Sequence, residues 1–273
     1  MLSEALKARL SVLRQEQAQR SRASRARPPS LRFASSDLCA CFPEGELTRR
    51  PQGELFACRL PLAQTHPEAD RLEQAYLAAF TGEAGERAME FQALAEAAPG
   101  VAALIDTETA GFYGRPLFLV GLVRWHENGL VLEQHFAPDY AQEPALLAHL
   151  ADVLSEVKLL ISFNGKAFDW PLVRDRMAYH RLPCRAEFAH FDLLHAARRR
   201  WRTELPNCRL QTLERFLCGR WRQGDLPSAE IPQRYHDYVR EQDARLIAPV
   251  FRHNRMDLIT MVELLAALLK TAR

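Results

Sequence analysis

No stretch of about 18 uncharged apolar residues occurs in the chain, which excludes a transmembrane helix. The opening residues MLSEALKARL lack the long apolar stretch of a signal peptide. Cysteine is sparse and scattered. Cys39, Cys41, Cys58, Cys184, Cys208 and Cys218 show no disulfide framework, and Cys39-x-Cys41, even with Cys58 and His66 downstream, lacks zinc-finger spacing. Reduced thiols that pack in a cytoplasmic protein are the expectation. No internal repeat is present. Charge is nearly balanced, at +2 overall, and 48% hydrophobic with 26% charged residues is ordinary for a globular chain with a sizeable core. A length of 273 residues holds one large domain, or one domain and an appendage.

The balance conceals an asymmetry. Residues 1–33 hold eight Lys/Arg against Glu4 and Glu16, a net of +6, against −4 for the remainder. A basic arm on a mildly acidic body suits an anionic partner such as nucleic acid. Within the arm, Leu2, Leu6, Leu10 and Leu13 recur at helical spacing, and residues 20–30 read as a linker. Residues 34–99 are expected to form a small extension. A β-hairpin lies around Pro43-Glu44-Gly45 and Pro51-Gln52-Gly53, and two helices over 72–98 break at Thr81-Gly82.

From residue 100 the pattern changes. Apolar runs predict a first strand within the stretch 102–112, its apolar run ending at Asp106, and further strands over 117–125, 130–136, 158–163 and 187–193, the second and third joined by a Glu127-Asn128-Gly129 turn. Helices are expected over 144–157 and 170–181, and again toward the C-terminus. Three strands in a meander followed by alternating helix and strand predict an α/β fold with a mixed five-stranded sheet flanked by helices.

The chemistry starts at the end of the first of these strands. Asp106 and Glu108 are two apart, so both project from one face, where a divalent cation would relieve their repulsion. The alternative is a strand end running into an acidic turn at Gly111. Asn164 and Lys166 follow the fourth strand, and Asp169 stands at the mouth of the next helix, where it could also cap that helix. His253 and Asp257, four apart, share a face if one helix holds both; otherwise Asn254 is the N-cap of a helix and Asp257 a variant of its capping box. No lysine or arginine partners the four carboxylates within the motifs, and hard Mg²⁺ or Mn²⁺ ions prefer such oxygen ligands.

Asp106-x-Glu108, Asn164-x-x-x-Phe168-Asp169 and His253-x-x-x-Asp257 together resemble the DEDD family of 3′–5′ exonucleases on the ribonuclease H-like fold. The wider context resembles the YprB-type ribonuclease H-like domain, through Phe163-Asn164-Gly165-Lys166, Phe168-Asp169-Trp170-Pro171, His190-Phe191-Asp192 and His253-Asn254. The resemblance implies a nuclease domain over about residues 100–273, cleaving single-stranded DNA or RNA with two Mg²⁺ or Mn²⁺ ions. Asp106 would bridge both ions, and Glu108 would bind one and orient the attacking water. Asp257 and Asp169 would complete the ligands, with Thr107, Asn164 and Lys166 beside the substrate. His253 would be the general base, although its four-residue spacing is that of the tyrosine subgroup rather than the histidine subgroup. The alternatives are an endonuclease with the same metal site, or a binding or scaffold module without turnover.

Overall fold

The structure, a computed structural model, describes residues 36–81, 91–111, 114–184 and 187–271. The helix and linker expected over residues 2–30, and the aromatic pair Phe112 and Tyr113, lie outside the described residues. Strands β1 (Gly45–Arg50) and β2 (Gly53–Pro61) form a hairpin. Then come β3 (Ala102–Thr109), β4 (Leu117–His126), β5 (Gly129–Phe136), β6 (Leu159–Ser162) and β7 (Ala189–Asp192). The sheet order is β1-β2-β5-β4-β3-β6-β7. Pairing is antiparallel as far as β3, and parallel from β3 to β6 and β7.

Seven strands replace the five expected, because β2 pairs antiparallel with β5, Phe56 facing Phe136. The hairpin read as part of an extension therefore lengthens the same sheet, and Ser35–Arg273 forms one compact unit.

Ten α-helices are described: α1 (Ser36–Cys41), α2 (Leu62–Thr65), α3 (Ala69–Phe80), α4 (Gln92–Glu96), α5 (Glu143–Glu156), α6 (Asp169–Tyr179), α7 (Leu193–Trp201), α8 (Leu210–Leu217), α9 (Ile231–Glu241) and α10 (Ala244–Thr271). Side-chain alternation along β3 assigns them to two faces. Ala102 and Leu104 pack with Leu258, Val262 and Leu265 of α10. Ala103 and Ile105 pack instead with Leu146 and Leu150 of α5 and Val173 of α6. A third cluster joins Phe56, Phe118 and Phe136 to Tyr235 of α9 and Phe251 of α10, Phe118 and Tyr235 stacking at 4.0 Å. Cys58 belongs to that cluster, whereas Cys39 and Cys41 are exposed and do not pack as expected.

The start of α10 departs from the N-cap alternative at Asn254. The helix opens at Ala244, where the Asp243 carboxylate accepts the Arg245 N–H at 3.0 Å, and it continues through Pro249. Both His253 and Asp257 therefore lie on one continuous helix. Asn254 is buried in its middle and caps nothing.

Candidate metal centre

The parity of β3 dictates what its acidic end can do. Asp106 and Glu108 continue the Leu104 side and face α10, while Thr107 continues the Ile105 side and faces α6. The Asn254 amide of α10 donates to Asp106 Oδ2 at 2.8 Å. Gln134 of β5 fixes that amide's orientation by donating to Asn254 Oδ1 at 2.8 Å. Room for the pair comes from Gly121 on β4, where any Cβ would overlap Asn254 Oδ1. Thr107 donates to Asp169 Oδ1 at 2.5 Å. Asp169 thus reaches the strand end from the opposite face.

The turn between β6 and α6 is held from below. Asp192, at the end of β7, accepts the Asn164 N–H at 2.8 Å and the Lys166 N–H at 3.2 Å. It also caps α7 by accepting the Leu194 N–H at 3.0 Å. Asn164 adopts a left-handed φ of 65°. Gly165 must be glycine, since a Cβ would lie 2.5 Å from Ser162 Cβ and 3.1 Å from Asp169 Oδ2. Asp169 is the first residue of α6, where its carboxylate accepts from its own backbone N–H as well as from the Thr107 hydroxyl.

From outside the motifs, an arginine does partner one of the carboxylates. Arg222, in the loop between α8 and α9, has a side chain only 5% exposed, and its Nη2 lies 2.6 Å from Asp257 Oδ1. The same guanidinium meets Glu214 at 2.5 Å and Asp225 at 3.1 Å. Sequence gave no hint of it, because Arg222 stands far from every motif. His253 is buried between two acids, its Nδ1 3.0 Å from Asp225 and its Nε2 3.5 Å from Asp257. An ionised carboxylate only accepts, so Nδ1 carries a proton toward Asp225. As it stands, His253 is anchored by Asp225 and does not open onto solvent.

Burial raises Asp106 well above the usual carboxylate range, reinforced by the charges of Asp257, Glu108 and Asp169 and opposed by the Asn254 amide. Glu108 is raised likewise, by burial and then by Asp257, Asp169 and Asp225. It has no hydrogen-bond partner among the described residues. Burial lifts Asp169 to about 6, against the hydrogen bond from Thr107. Asp225 moves the other way: burial opposes it, but His253 and Arg222 hold it below the usual range.

Such an all-oxygen cluster, in which neighbouring charges raise Asp106 and Glu108, fits a hard divalent cation. Among the described residues no three His, Cys, Asp or Glu groups stand in ready ligand geometry. Asn254, Thr107 and Arg222 each hold one carboxylate of the cluster. Asp106, Glu108, Asp169 and Asp257 remain the residues that would hold the ions.

A cleft of about 700 Å³ opens beside Asp169 and Thr107, walled by the exposed Phe168 and Tyr179. A smaller hollow of about 140 Å³ adjoins Glu108. Lys166 is exposed beside this region. Trp170 is taken up by packing on Phe188, the rings 4.8 Å apart. The arginines of α7 are exposed, Arg200 pairing with Glu204 at 2.6 Å.

Residues 103–269 match the RNase H superfamily. The chain belongs to that superfamily. Its sequence is 39% identical over 166 residues to the uncharacterized protein YprB of Bacillus subtilis (strain 168), a match covering 58% of this chain and 40% of that protein. The chain therefore spans less than half the length of that relative. Among solved structures, the family B DNA polymerase from Pyrobaculum calidifontis aligns at 14% identity and a TM-score of 0.47, over 60% of this chain and 24% of its own. Exonuclease I in complex with the inhibitor BCBP aligns at 17% identity and a TM-score of 0.36, over 58% of this chain and 45% of its own. The RNase H superfamily match runs from β3 into α10, the stretch that carries Asp106, Glu108, Asp169 and Asp257.

Proposed function

We propose that this chain is a metal-dependent nuclease that hydrolyses phosphodiester bonds, removing nucleotides from the 3′ end of single-stranded DNA or RNA. The observation that carries the reading is the crowding of Asp106, Glu108, Asp169 and Asp257, four acids from two strand positions and two helices, where the charges of Asp257 and Asp169 push Asp106 and Glu108 upward. A fold gains nothing from such repulsion unless a cation resolves it. Two Mg²⁺ or Mn²⁺ ions, when bound, activate a water and stabilise the leaving oxygen.

The chain's own residues orient the parts. Asn254, locked by Gln134, fixes the rotamer of Asp106, and Thr107 fixes Asp169. Glu108, lacking a protein partner, is available to position the nucleophile. Asp192 sets the turn that presents Asn164 and Lys166 to substrate. His253, whose Nδ1–H is steered by Asp225, turns the lone pair of Nε2 toward the Asp257 side and is the candidate base.

A second reading, a nucleic-acid-binding module without turnover, is favoured by one observation: Arg222 already neutralises Asp257. End-labelled single-stranded DNA and RNA incubated in Mg²⁺, Mn²⁺ or EDTA, beside Asp106→Ala, separates them. Metal-dependent laddering from the 3′ end, lost in the variant, is expected. Internal cuts would move the protein to the endonucleases, and binding without cleavage, indifferent to EDTA, would leave the second reading.

A further inference from the structure

Arg222 and Asp225, which hold Asp257 and His253, also line a second cleft of about 630 Å³. The acidic site and this cleft therefore share a wall. On the cleft's rim stand Trp221 and Phe216, 65% and 52% exposed. Both positions have a structural origin. Leu213 of α8 turns inward to the core beside α10, so Arg215 and Phe216 at the end of that helix turn outward. The following loop folds Trp221 back over Arg215, whose guanidinium carbon lies 4.0 Å from the Trp221 ring centroid and 5.6 Å from that of Phe216.

The charges around this platform are unequal. Arg222 is consumed by Glu214, Asp225 and Asp257, and Arg220 by Glu214 and Glu263. Arg215 has no carboxylate partner among the described residues, so its charge faces outward over two aromatic rings. We propose that Trp221, Phe216 and Arg215 form a base-stacking subsite for single-stranded nucleic acid, holding the strand beside the acidic site. Flat aromatic faces accept any base, and an outward guanidinium supplies cation–π contact and phosphate attraction. A duplex keeps its bases stacked on each other and offers no such face. A protein partner would have to bury its apolar contact against the ion-paired inner wall, where Glu214 and Arg222 are already desolvated.

The inference rests on the nuclease reading for its ligand class, and its test needs no turnover. The full chain is titrated in EDTA with a fluorescein-labelled 15-mer of thymidine and with an abasic 15-mer of equal charge, following anisotropy and tryptophan emission. Trp221→Ala, at an exposed position, is expected to keep the wild-type melting temperature and to bind the thymidine oligomer about tenfold more weakly. Trp221→Phe is expected to restore most of the affinity. The wild type should bind the abasic strand as weakly as Trp221→Ala binds the thymidine oligomer, and emission quenching by the thymidine oligomer should shrink in Trp221→Phe. Equal affinity of wild type and Trp221→Ala for the thymidine oligomer would overturn the proposal, as would equal binding of both oligomers by the wild type. Binding is read in EDTA, without turnover, so a failed nuclease assay and a failed stacking assay remain distinct results.

Discussion

Asn254 and Asp106 are 148 residues apart in sequence and joined across the sheet by a 2.8 Å hydrogen bond from amide to carboxylate. The bond costs a buried amide unless Gln134 also satisfies its oxygen, which it does at 2.8 Å. Asn254→Ala is therefore expected to weaken Mn²⁺ binding by about 10- to 100-fold, as for other partners that orient metal ligands. Titration calorimetry of the variant against wild type measures this; unchanged affinity would remove Asn254 from the site.

Arg222 sits where an ion's charge would otherwise act on Asp257. Replacing it by methionine removes the one guanidinium that Glu214, Asp225 and Asp257 share and should cost about 3 kcal/mol of metal-free stability. Added Mg²⁺ should then raise the melting temperature of Arg222→Met more than that of wild type. Equal shifts in a thermal melt would mean that guanidinium and ion do not share Asp257.

At the same end of the sheet, where Leu117 of β4 pairs with Thr109 of β3, Glu143 is buried, and it accepts the Leu117 N–H at 2.8 Å, Arg176 Nε at 2.7 Å and His180 Nε2 at 2.8 Å. Burial opposes its charge, but Arg176 and His180 hold it below its ordinary value of 4.5. A depressed carboxylate contributes stability that is present above its unfolded value and lost as pH falls. Glu143→Gln should thus cost about 3 kcal/mol near neutral pH, and the gap to wild type should narrow below about pH 4.5. Urea melts across that range check it; a gap independent of pH would assign the effect to packing.

Gly165→Ala tests the turn that carries Asn164 and Lys166. Its Cβ meets the stiff Cβ of Ser162 at 2.5 Å, so the backbone must move, at about 1–3 kcal/mol. The displaced turn should loosen from Asp192, and cleavage should fall more steeply than the melting temperature. A variant with full cleavage and an unchanged melt would show that the turn has slack.

The five strands of the second half and the face shared by Asp106 and Glu108 were legible because period-two alternation is a local signal. The hairpin's membership of the sheet was not, since pairing of Phe56 with Phe136 is set by tertiary contact alone. Asn254 lies three residues before Asp257, a spacing that marks one helix face, yet its place at the head of an apolar stretch also suited a cap. What decided the matter lay upstream, where Asp243 begins the helix. Arg222 lies in a loop 35 residues before Asp257 with no periodic pattern to place it, so only the folded chain brings the two within 2.6 Å. Asp192 was legible as a strand-end acid, and its three backbone partners give it the task of holding the turn.

The separation of Asp106 from Asn254 also sets a schedule. Translation delivers β3 with its acids, then nearly 150 further residues, before the helix that disciplines them emerges. A chain still on the ribosome holds Asp106 and Glu108 with neither Asn254 nor Asp257 in place. Under the nuclease reading, the growing polypeptide is chemically inert toward the messenger that encodes it, and competence arrives only once α10 has docked.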